Sequence, residues 1–550
     1  MNKRYCILDC YVDEPACFGV PPFVSPYPRY VYGALVDAGV NEDAIDYITI
    51  DDMRTAEYVL HKYYSIVFCI GGAIVPGKYL GFSIGTLDEI KKIITANKQQ
   101  NFAIGGMIAH LVAPFPNSIL VTGDIEQFAF EKASGNNCYT NNYRTYDNLA
   151  RWSVYGSRVV KEHPQFPTLI AEIETYRGCP RQQHCSFCAE GLFSFVDFRR
   201  EEDIIAEIDT LIQQGITRFR IGRQADIISY KAQLHHITNG FPRPHPQPII
   251  SLFHELQKRK ESGKISMLNV DNANPGSIYY YKNEASAIID VLAQSVTAGD
   301  TLALGVESFD PAVIKKNNLK LQKDQLIEVI QLINDIGGTR VNDIHRLLPG
   351  INLIHGLIGE HADTFKINYE SLQEILHKGL LVKRINIRSL VPFPGTIAAQ
   401  KQKKESKLLI NRYRYYRQKI RHEIDHTMIT KLYPAGTVIA NMFVLSQVQG
   451  YSYAKEIRSY AITAKIPLEL TLYSFLDCIV VGHQERSLLC LPYPVNINTL
   501  PQKALATIPG IGKKTASAMI VQRPFNDFAQ AMPYLVSVPG KLIDAIKLCF

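Results

Sequence analysis

Short apolar runs alternate with amphipathic stretches along most of this 550-residue chain. In the first part, most apolar runs end in Gly or Asp, as strands do where they lead into a helix of an open parallel sheet. This pattern predicts an N-terminal α/β domain over residues 1–160. Its predicted strands are Tyr5–Asp9, Tyr47–Ile50, Ser65–Gly72 and Asn117–Gly123.

A regular rhythm of strand and helix follows over residues 165–400. Six such units predict a partial (β/α)6 barrel, an opened relative of the (β/α)8 fold, with its chemistry at the carboxyl ends of the strands. The predicted strands are Leu169–Glu174, Arg218–Ile221, Ile265–Val270, Leu302–Val306, Asn352–Leu357 and Arg384–Leu390. The predicted helices between them include Glu201–Gln214, Ile249–Arg259, Lys323–Ile336 and Thr364–His377.

The C-terminal part changes character three times. Residues 401–430 predict a basic helical linker, in which lysines and arginines crowd together with Tyr413, Tyr415 and Tyr416. Residues 431–497 are rich in Val, Ile, Thr and Tyr with glycine turn signals, which predicts a small β domain. Residues 498–550 predict a helical hairpin around Pro509–Gly512.

Composition narrows the class of protein. The chain is 46% hydrophobic with a net charge of +7, as expected for a well-buried multidomain protein. No apolar run is long enough to span a bilayer, so we expect no membrane partner. Asp9 stands where a secretory signal would need its apolar core. We therefore expect a cytoplasmic location, where cysteines serve metals or cores.

Three cysteines follow the first predicted strand of the barrel region. Cys179, Cys185 and Cys188 have the spacing C-x5-C-x2-C. Three thiolates on one loop can hold three irons of a [4Fe–4S] cluster and leave the fourth iron open to another ligand. Zinc is the alternative, but a structural zinc needs four ligands, and the nearby His184 directly precedes Cys185.

This loop, after the first of six βα units, resembles that of the radical S-adenosylmethionine (SAM) superfamily. Members usually have C-x3-C-x2-C, and the longer first gap is a departure. Phe187 stands where the family has an aromatic residue beside the adenine of SAM. Leu304–Asp310 and Gly350–Glu360 resemble the segments of the fourth and fifth strands that meet SAM. Val391–Thr396 resembles a sixth-strand exit of methylthiotransferase-like members.

The family's Gly-Gly-Glu stretch after the second strand is replaced by Ile221–Asp226. Gln224 or backbone carbonyls would then have to receive the amino group of SAM. The resemblance implies that SAM is bound by residues of the cysteine loop and of the three strand ends. These cofactor-binding candidates are Phe187, Gly222, Gln224, Glu307, Ser308 and His355.

The resemblance also implies an activity. SAM would chelate the open iron, and one electron from the cluster would produce a 5′-deoxyadenosyl radical, which calls for an electron donor such as a ferredoxin or flavodoxin. Many members carry cobalamin in an N-terminal domain. Residues 1–165 lack the Asp-x-His-x-x-Gly motif of a histidine ligand, so a scaffold or substrate role is the favoured interpretation of this domain.

The tail resembles a helix-hairpin-helix motif, whose glycines let backbone N–H groups approach a phosphate. The nucleic-acid-binding candidates are Gly510, Gly512, Lys513, Lys514 and Thr515. A purely structural hairpin is the alternative. The β domain occupies the position of the RNA-binding β-barrel of methylthiotransferases. The basic linker could contact phosphates and stack its tyrosines on bases, or it could be a solvated helix face whose tyrosines pack on the next domain.

These features together predict a radical SAM enzyme with a transferase-type reaction that modifies a nucleic acid, RNA ahead of DNA. One alternative is radical modification of a protein or a small metabolite. Another is an iron–sulfur protein that binds nucleic acid without catalysis.

Overall fold

The computed structural model describes residues 3–14, 17–72, 78–79, 81–193, 195–401 and 406–550. The chain divides into two compact units. The first comprises Met1–Val296 with Val391–Gln402, and the second comprises Thr297–Leu390 with Lys403–Phe550. Among the described residues, no helix is both long and apolar enough to cross a bilayer.

The N-terminal domain of the first unit is built on a five-stranded parallel sheet. The strands in this part of the chain, five of which form that sheet, are β1 (Tyr5–Asp9), β2 (Asp13–Glu14), β3 (Cys17–Phe18), β4 (Phe23–Val24), β5 (Ile45–Thr49), β6 (Ile66–Ile70), β7 (Lys78–Tyr79), β8 (Phe82–Ser83), β9 (Phe102–Gly105) and β10 (Ser118–Leu120). Its helices are α1 (Pro26–Asp37), α2 (Ile50–Thr55), α3 (Leu87–Ala96), α4 (Ile125–Ser134) and α5 (Tyr146–Tyr155). The sheet order is β10-β9-β6-β1-β5. This is a doubly wound order: β5 lies on one side of β1, and β6, β9 and β10 follow on the other side, so the order of the strands reverses between β1 and β6.

Local sequence explains these elements. The α3 helix begins with a capping box between Thr86 and Glu89, and its Ile90, Ile93 and Ile94 turn inward at helical spacing. Helices α1 and α5 cross closely at Gly33, where a Cβ would lie 1.9 Å from the carbonyl oxygen of Trp152. This crossing therefore requires glycine.

A second parallel sheet in the first unit carries the first three predicted barrel strands. The elements are β11 (Ile170–Glu174), β12 (Tyr176–Arg177), β13 (Asp197–Phe198), β14 (Arg218–Arg223), β15 (Gln233–Thr238), β16 (Phe241–Arg243), β17 (Met267–Val270), α6 (Glu201–Gln213), α7 (Pro246–Glu261), α8 (Pro275–Tyr280) and α9 (Lys282–Ser295). The sheet order is β17-β14-β11-β4. The two-residue β4, far upstream in sequence, was not predicted as a strand, and neither was the β15–β16 hairpin.

The second unit contains the other three strands in one parallel sheet of order β18-β21-β22. Its elements are β18 (Asp300–Glu307), β19 (Arg340–Val341), β20 (Ile344–His345), β21 (Leu347–His355), β22 (Arg384–Ser389), α10 (Pro311–Lys316), α11 (Lys323–Gly337) and α12 (Thr364–His377). All six predicted strands are thus present, three in each unit. Closure into a partial barrel stays a prediction.

A short helix, α13 (Ile397–Lys401), belongs to the first unit. The chain then continues in the second unit through α14 (Lys407–Lys419), a π-helical turn (Ile420–Asp425) and α15 (His426–Leu432). These three consecutive helical segments fill most of the predicted basic linker. Lys403, Lys404 and Glu405 of the linker lie outside the described residues.

The predicted β region is a closed five-stranded barrel. Its strands are β23 (Val438–Val448), β24 (Tyr451–Glu456), β25 (Thr463–Ile466), β26 (Phe475–His483) and β27 (Ser487–Pro492). The order around the barrel is β23-β24-β25-β27-β26, and β25 pairs with β27 in parallel while the other neighbours are antiparallel. The interior contains apolar residues such as Met442, Val444, Ala454 and Cys478.

The tail forms two helical hairpins, where the sequence predicted one. Its helices are α16 (Gln502–Leu505), α17 (Lys513–Gln522), α18 (Phe528–Leu535) and α19 (Gly540–Lys547). A repeat explains the pair: Leu505, Thr507, Ile508, Pro509 and Gly510 recur thirty positions later as Leu535, Ser537, Val538, Pro539 and Gly540. The two turns contact each other, because a Cβ at Gly510 would lie 2.2 Å from the carbonyl oxygen of Ser537.

Candidate active site

The cysteine loop begins directly beyond β11, at the carboxyl end of the parallel sheet of the first unit. Gly178 has φ +81°, and a Cβ there would lie 2.2 Å from the carbonyl oxygen of Phe195. The loop is held from two sides: the Gln182 N–H donates to Gly240 O (3.0 Å) and the Ala398 N–H donates to Ser186 O (2.8 Å). The loop therefore has a defined path between the β15–β16 hairpin and the α13 segment.

The three thiols of this loop lie within electrostatic reach of one another. Burial is the main reason that the pKa of Cys179 is raised to about 12; the Arg181 backbone N–H lowers this pKa, and the charge of Cys185 raises it. Burial also raises the pKa of Cys188, with added contributions from Cys185 and Glu190, and the Glu190 backbone N–H opposes this. Each of these N–H groups lies two residues after its cysteine. Such N–H donors are suited to a thiolate that binds a metal centre.

A guanidinium group completes the donors around the thiols. Arg181 Nη1 donates to Cys185 Sγ (3.3 Å), and the guanidinium lies over the Phe241 ring, 5.0 Å from its centroid. His184 Nε2 lies 3.2 Å from the carbonyl oxygen of Cys179. Phe187 is half-buried on the same loop.

The donor set fits an iron–sulfur cluster. Three soft thiols lie on one loop, and N–H groups and a cation nearby can stabilise their negative charge. Among the described residues, no three His, Cys, Asp or Glu side chains converge to hold a single metal ion. The fit therefore depends on the loop and its hydrogen-bond donors.

One acid of this loop was not predicted from the sequence. Glu190 is 5% exposed, and its Oε1 lies 3.0 Å from Nη1 of Arg223, at the end of β14. Its other oxygen, Oε2, is buried and has no hydrogen-bond partner among the residues that the structure describes. Arg223 is fixed further by donating from Nε to the hydroxyl of Tyr27 (2.6 Å). This pair links the cysteine loop to the strand end where the Gly-Gly-Glu stretch was expected.

The two candidates on that strand end are tightly enclosed. Gly222 leaves no room for a side chain, because a Cβ would lie 2.5 Å from Glu172 Oε1. Gln224 is fully buried, and its amide donates to Ile221 O (2.9 Å) and Asp271 O (2.8 Å). In this arrangement Gln224 uses both amide N–H groups to join neighbouring strands.

Two further candidates lie at the end of β18 in the second unit. Glu307 is 6% exposed and has φ +67°, an unusual backbone conformation for a residue with a side chain. Its Oε1 lies 3.5 Å from Lys320 Nζ, and burial raises its pKa against the effect of this lysine. The Ser308 hydroxyl donates to Asn368 Oδ1 (3.2 Å). Of the two, Glu307 has the strained geometry that is common at functional sites.

His355 ends β21 and packs between aromatic rings. It stacks on Tyr413 with centroids 4.0 Å apart, and its Nδ1 lies 2.9 Å from Glu360 Oε2. Tyr416 packs near Tyr369, whereas Tyr415 is 56% exposed. Two of the three tyrosines predicted to stack on bases are therefore used in packing.

The predicted phosphate site of the tail is open at its helix start. Within the described part of the chain, Gly512 precedes α17 without a side-chain cap, and nothing lies within 4 Å of a Cβ built there. Lys513 and Lys514 are exposed, and Thr515 is half-buried. Gly510 has φ +90° and is required by the contact between the two turns.

The N-terminal domain contains a buried histidine instead of the motif expected of a cobalamin ligand. His163 is 3% exposed and packs near the rings of Tyr11 and Tyr47. Burial lowers its pKa to about 4, so the imidazole is neutral at physiological pH. This histidine is thus enclosed by the domain's own side chains.

No model of a known protein family matches the chain. Among solved structures, it is similar to the radical SAM methyltransferase TsrM from Kitasatospora setae, with a TM-score of 0.46 and 14% identity over 72% of this chain and 77% of that one. It is also similar to the cobalamin-dependent radical SAM enzyme OxsB, with a TM-score of 0.47 and 14% identity over 76% of this chain and 56% of that one.

Two archaeal proteins are much closer in sequence. An uncharacterized protein of Methanocaldococcus jannaschii is 38% identical over 514 residues, which cover 89% of this chain and 93% of that protein. An uncharacterized protein of Archaeoglobus fulgidus is 32% identical over 546 residues, 98% of either chain. This chain belongs to the same protein family as these two archaeal proteins.

Proposed function

We propose that this protein is a radical SAM enzyme that modifies a nucleic acid, RNA ahead of DNA. The observation that carries the proposal is the cysteine loop: Cys179, Cys185 and Cys188 lie beyond β11 and the two-residue β12, with backbone and guanidinium donors around their thiols. In this proposal the three thiolates hold a [4Fe–4S] cluster whose open iron binds SAM.

When bound, the cluster and SAM would supply a 5′-deoxyadenosyl radical after one electron arrives from a ferredoxin- or flavodoxin-like donor. The protein's own residues hold and shield this chemistry. Arg181 stabilises the charge on Cys185, and the N–H groups of Arg181 and Glu190 do so for the other two thiolates. Phe187, on the cysteine loop, is assigned to the adenine of SAM.

The tail supports a nucleic-acid substrate. Gly512 leaves the start of α17 open, and Lys513 and Lys514 are exposed beside it. Backbone N–H groups at a helix start attract phosphate, and the lysines add charge. We assign the N-terminal domain a scaffold role, because its buried His163 is enclosed by tyrosines.

The direct test is anaerobic reconstitution with iron and sulfide, reduction, and addition of SAM with and without total RNA. We expect about four irons per chain, cluster-dependent 5′-deoxyadenosine by mass spectrometry, and more of it with RNA. Cys185→Ala should lose both iron and product.

The matched control is Cys549→Ala, which removes a partly exposed thiol near the C-terminus. It should keep the iron content and the product of the wild type. Equal iron loss in both variants, or no 5′-deoxyadenosine beside a working reference enzyme, would contradict the proposal.

A further inference from the structure

The outer face of the small barrel carries a continuous row of aromatic, basic and hydroxyl side chains. Register pairs Phe475 with Phe443, Phe443 with Lys455, Lys455 with Thr463, and Thr463 with Ser487. Paired residues point to the same side of a sheet. The next strand positions, Met442 and Ala454, are buried in the barrel interior. The row therefore lies on the outside.

A second row runs beside it. Ser446 pairs with Tyr453, and Tyr453 pairs with Lys465. At the start of β24, the centroid of the Tyr451 ring lies 4.1 Å from Lys465 Nζ and 3.3 Å from Lys503 Nζ. Tyr473, just before β26, is 71% exposed and Phe475 is 42% exposed. Large aromatic rings with this exposure and with lysines beside them are unusual on a barrel that binds nothing.

The first row ends at Ser487, which directly follows Arg486, a member of a group of arginines. Arg486 Nε lies 3.2 Å from Asp425 Oδ2, which also accepts from Arg421 Nη1 (2.6 Å). Burial lowers the pKa of Lys455, and the charges of Arg384 and Arg486 lower it further. The charge of Arg384 thus lowers the pKa of both Lys455 and Arg486. Cations that repel one another at a partly exposed place favour an anionic ligand.

We propose that this face of the barrel, from Phe475 and Phe443 through Lys455 to Arg486, binds single-stranded RNA. Bases stack on the aromatic rings, and a backbone phosphate lies against the cations. Stacking on aromatic residues beside a basic groove is how single strands are bound without strong sequence preference. The face includes the second and third strands of a five-stranded barrel, which is also the binding surface of oligonucleotide-binding barrels.

The commitment to RNA follows from the hydroxyl groups in the row. Thr463 and Ser487 continue directly from Lys455. With a base on Phe443 and its phosphate at Lys455, the strand would continue past that phosphate to the ribose of the next nucleotide, which would lie next to these hydroxyls, and they can hydrogen bond with its 2′-OH. The inference rests on the proposed function, since it names the surface by which that enzyme would hold its substrate.

The test is fluorescence anisotropy with the reconstituted full chain and a labelled single-stranded 12-nucleotide RNA, titrated at several KCl concentrations. Phe443→Ala should weaken binding about tenfold, as expected for loss of one stacked base. Lys455→Gln and Arg486→Gln should weaken it to a similar extent. Each should also reduce the slope of log Kd against log salt by about 0.7.

Matched controls make the same changes elsewhere. Tyr139→Ala removes an aromatic ring that is 57% exposed, and Lys98→Gln removes an exposed charge, both in the N-terminal domain. Both should bind like the wild type. Circular dichroism verifies that each variant is folded.

Wild-type affinity for RNA in folded Phe443→Ala and Lys455→Gln would overturn the proposal, as would no RNA binding by the wild type. Equal affinity for DNA of the same sequence would overturn the assignment to RNA. The assay needs no SAM cleavage, so its result is independent of 5′-deoxyadenosine formation. Loss of binding in Lys513→Glu/Lys514→Glu alone would place the contact in the tail.

Discussion

The two units differ in how their charged side chains are paired and buried. In the first unit, Glu207 lies between Arg29 and Arg199 and pairs with both, and all three side chains are at most 1% exposed. In the second unit, Asp425 pairs with Arg421 and Arg486, the latter 40% exposed. Burial, followed by the charges of Arg421, Arg384 and Arg417, lowers the pKa of Arg486 to about 10, against the effect of Asp425.

The difference separates a structural network from a binding surface. The first unit repeats its pattern, with Arg144 held between Glu126 and Glu174 and Arg220 between Glu172 and Asp271. Each charge there meets opposite charges in a fixed geometry, so removing one leaves its partner buried and uncompensated. Around Arg486 the cations remain partly exposed and repel one another, so removing one relieves repulsion.

The largest effect is expected at Glu207. Glu207→Gln keeps the shape of the side chain but leaves Arg29 and Arg199 buried without their shared carboxylate. We expect the free energy of unfolding to fall by about 3–5 kcal/mol. Urea denaturation of the full chain, followed by circular dichroism for the first transition, measures this loss.

The matched control is Asp203→Asn on the same helix. Asp203 pairs with Arg200, which is 55% exposed, so this change should cost less than about 1 kcal/mol. Similar costs for the two variants would contradict a structural role for the buried network.

A smaller effect is expected from acid at Glu174. Burial alone would raise its pKa, but Arg144, followed by Arg177 and Arg223, outweighs this effect and lowers the pKa to about 2. The unfolded chain protonates glutamate near pH 4.3, so the stabilisation is present above that pH and is lost as the pH falls towards 2. The loss is of the order of 3 kcal/mol.

Unfolding free energies measured between pH 5 and pH 2 show this slope. Glu174→Gln should be less stable at pH 5 and should have a flatter profile below it. An unchanged profile in Glu174→Gln would assign the acid sensitivity to other carboxylates.

The sequence predicted all six strands of the barrel region, because each is a compact apolar run between turns, but it did not predict β4 or β9. The predicted strands Arg218–Ile221 and Arg384–Leu390 correspond to β14 (Arg218–Arg223) and β22 (Arg384–Ser389), and α12 has its predicted bounds. The ion pairs could not be predicted, because Glu172 and Arg220 meet only through the register of β11 with β14. The same holds for Glu190 and Arg223, although an acid two residues beyond Cys188 was visible in the sequence.

The barrel and the tail differ in whether the sequence contains a signal for their arrangement. The strand order of the barrel depends on a parallel pairing of β25 with β27, for which the turns in the sequence give no signal. The second hairpin of the tail did have a signal, the recurrence of Leu505–Gly510 at Leu535–Gly540. The roles of Gly510 and Gly512 could not be separated, because only the folded turn shows that Gly510 meets Ser537 while Gly512 is open.

The smallest effect is expected at Arg486, where the comparison between the units predicts the opposite response to Glu207. Arg486→Gln removes a cation that other arginines repel, so the free energy of unfolding should change by less than about 1 kcal/mol in either direction. Phosphate should stabilise the wild type by occupying the cation group. At tenfold excess over its dissociation constant the gain is about 1.4 kcal/mol, or a few degrees in Tm.

Differential scanning calorimetry in phosphate and in chloride of equal ionic strength isolates this gain from general salt effects. Arg486→Gln should lose most of the phosphate-specific rise in Tm, whereas Lys98→Gln should keep it. A phosphate response that is the same in all three proteins would place the anion elsewhere. A fall of several kcal/mol in Arg486→Gln would show that this arginine is as structural as Arg29, and the contrast between the two units would then fail at the surface assigned to RNA.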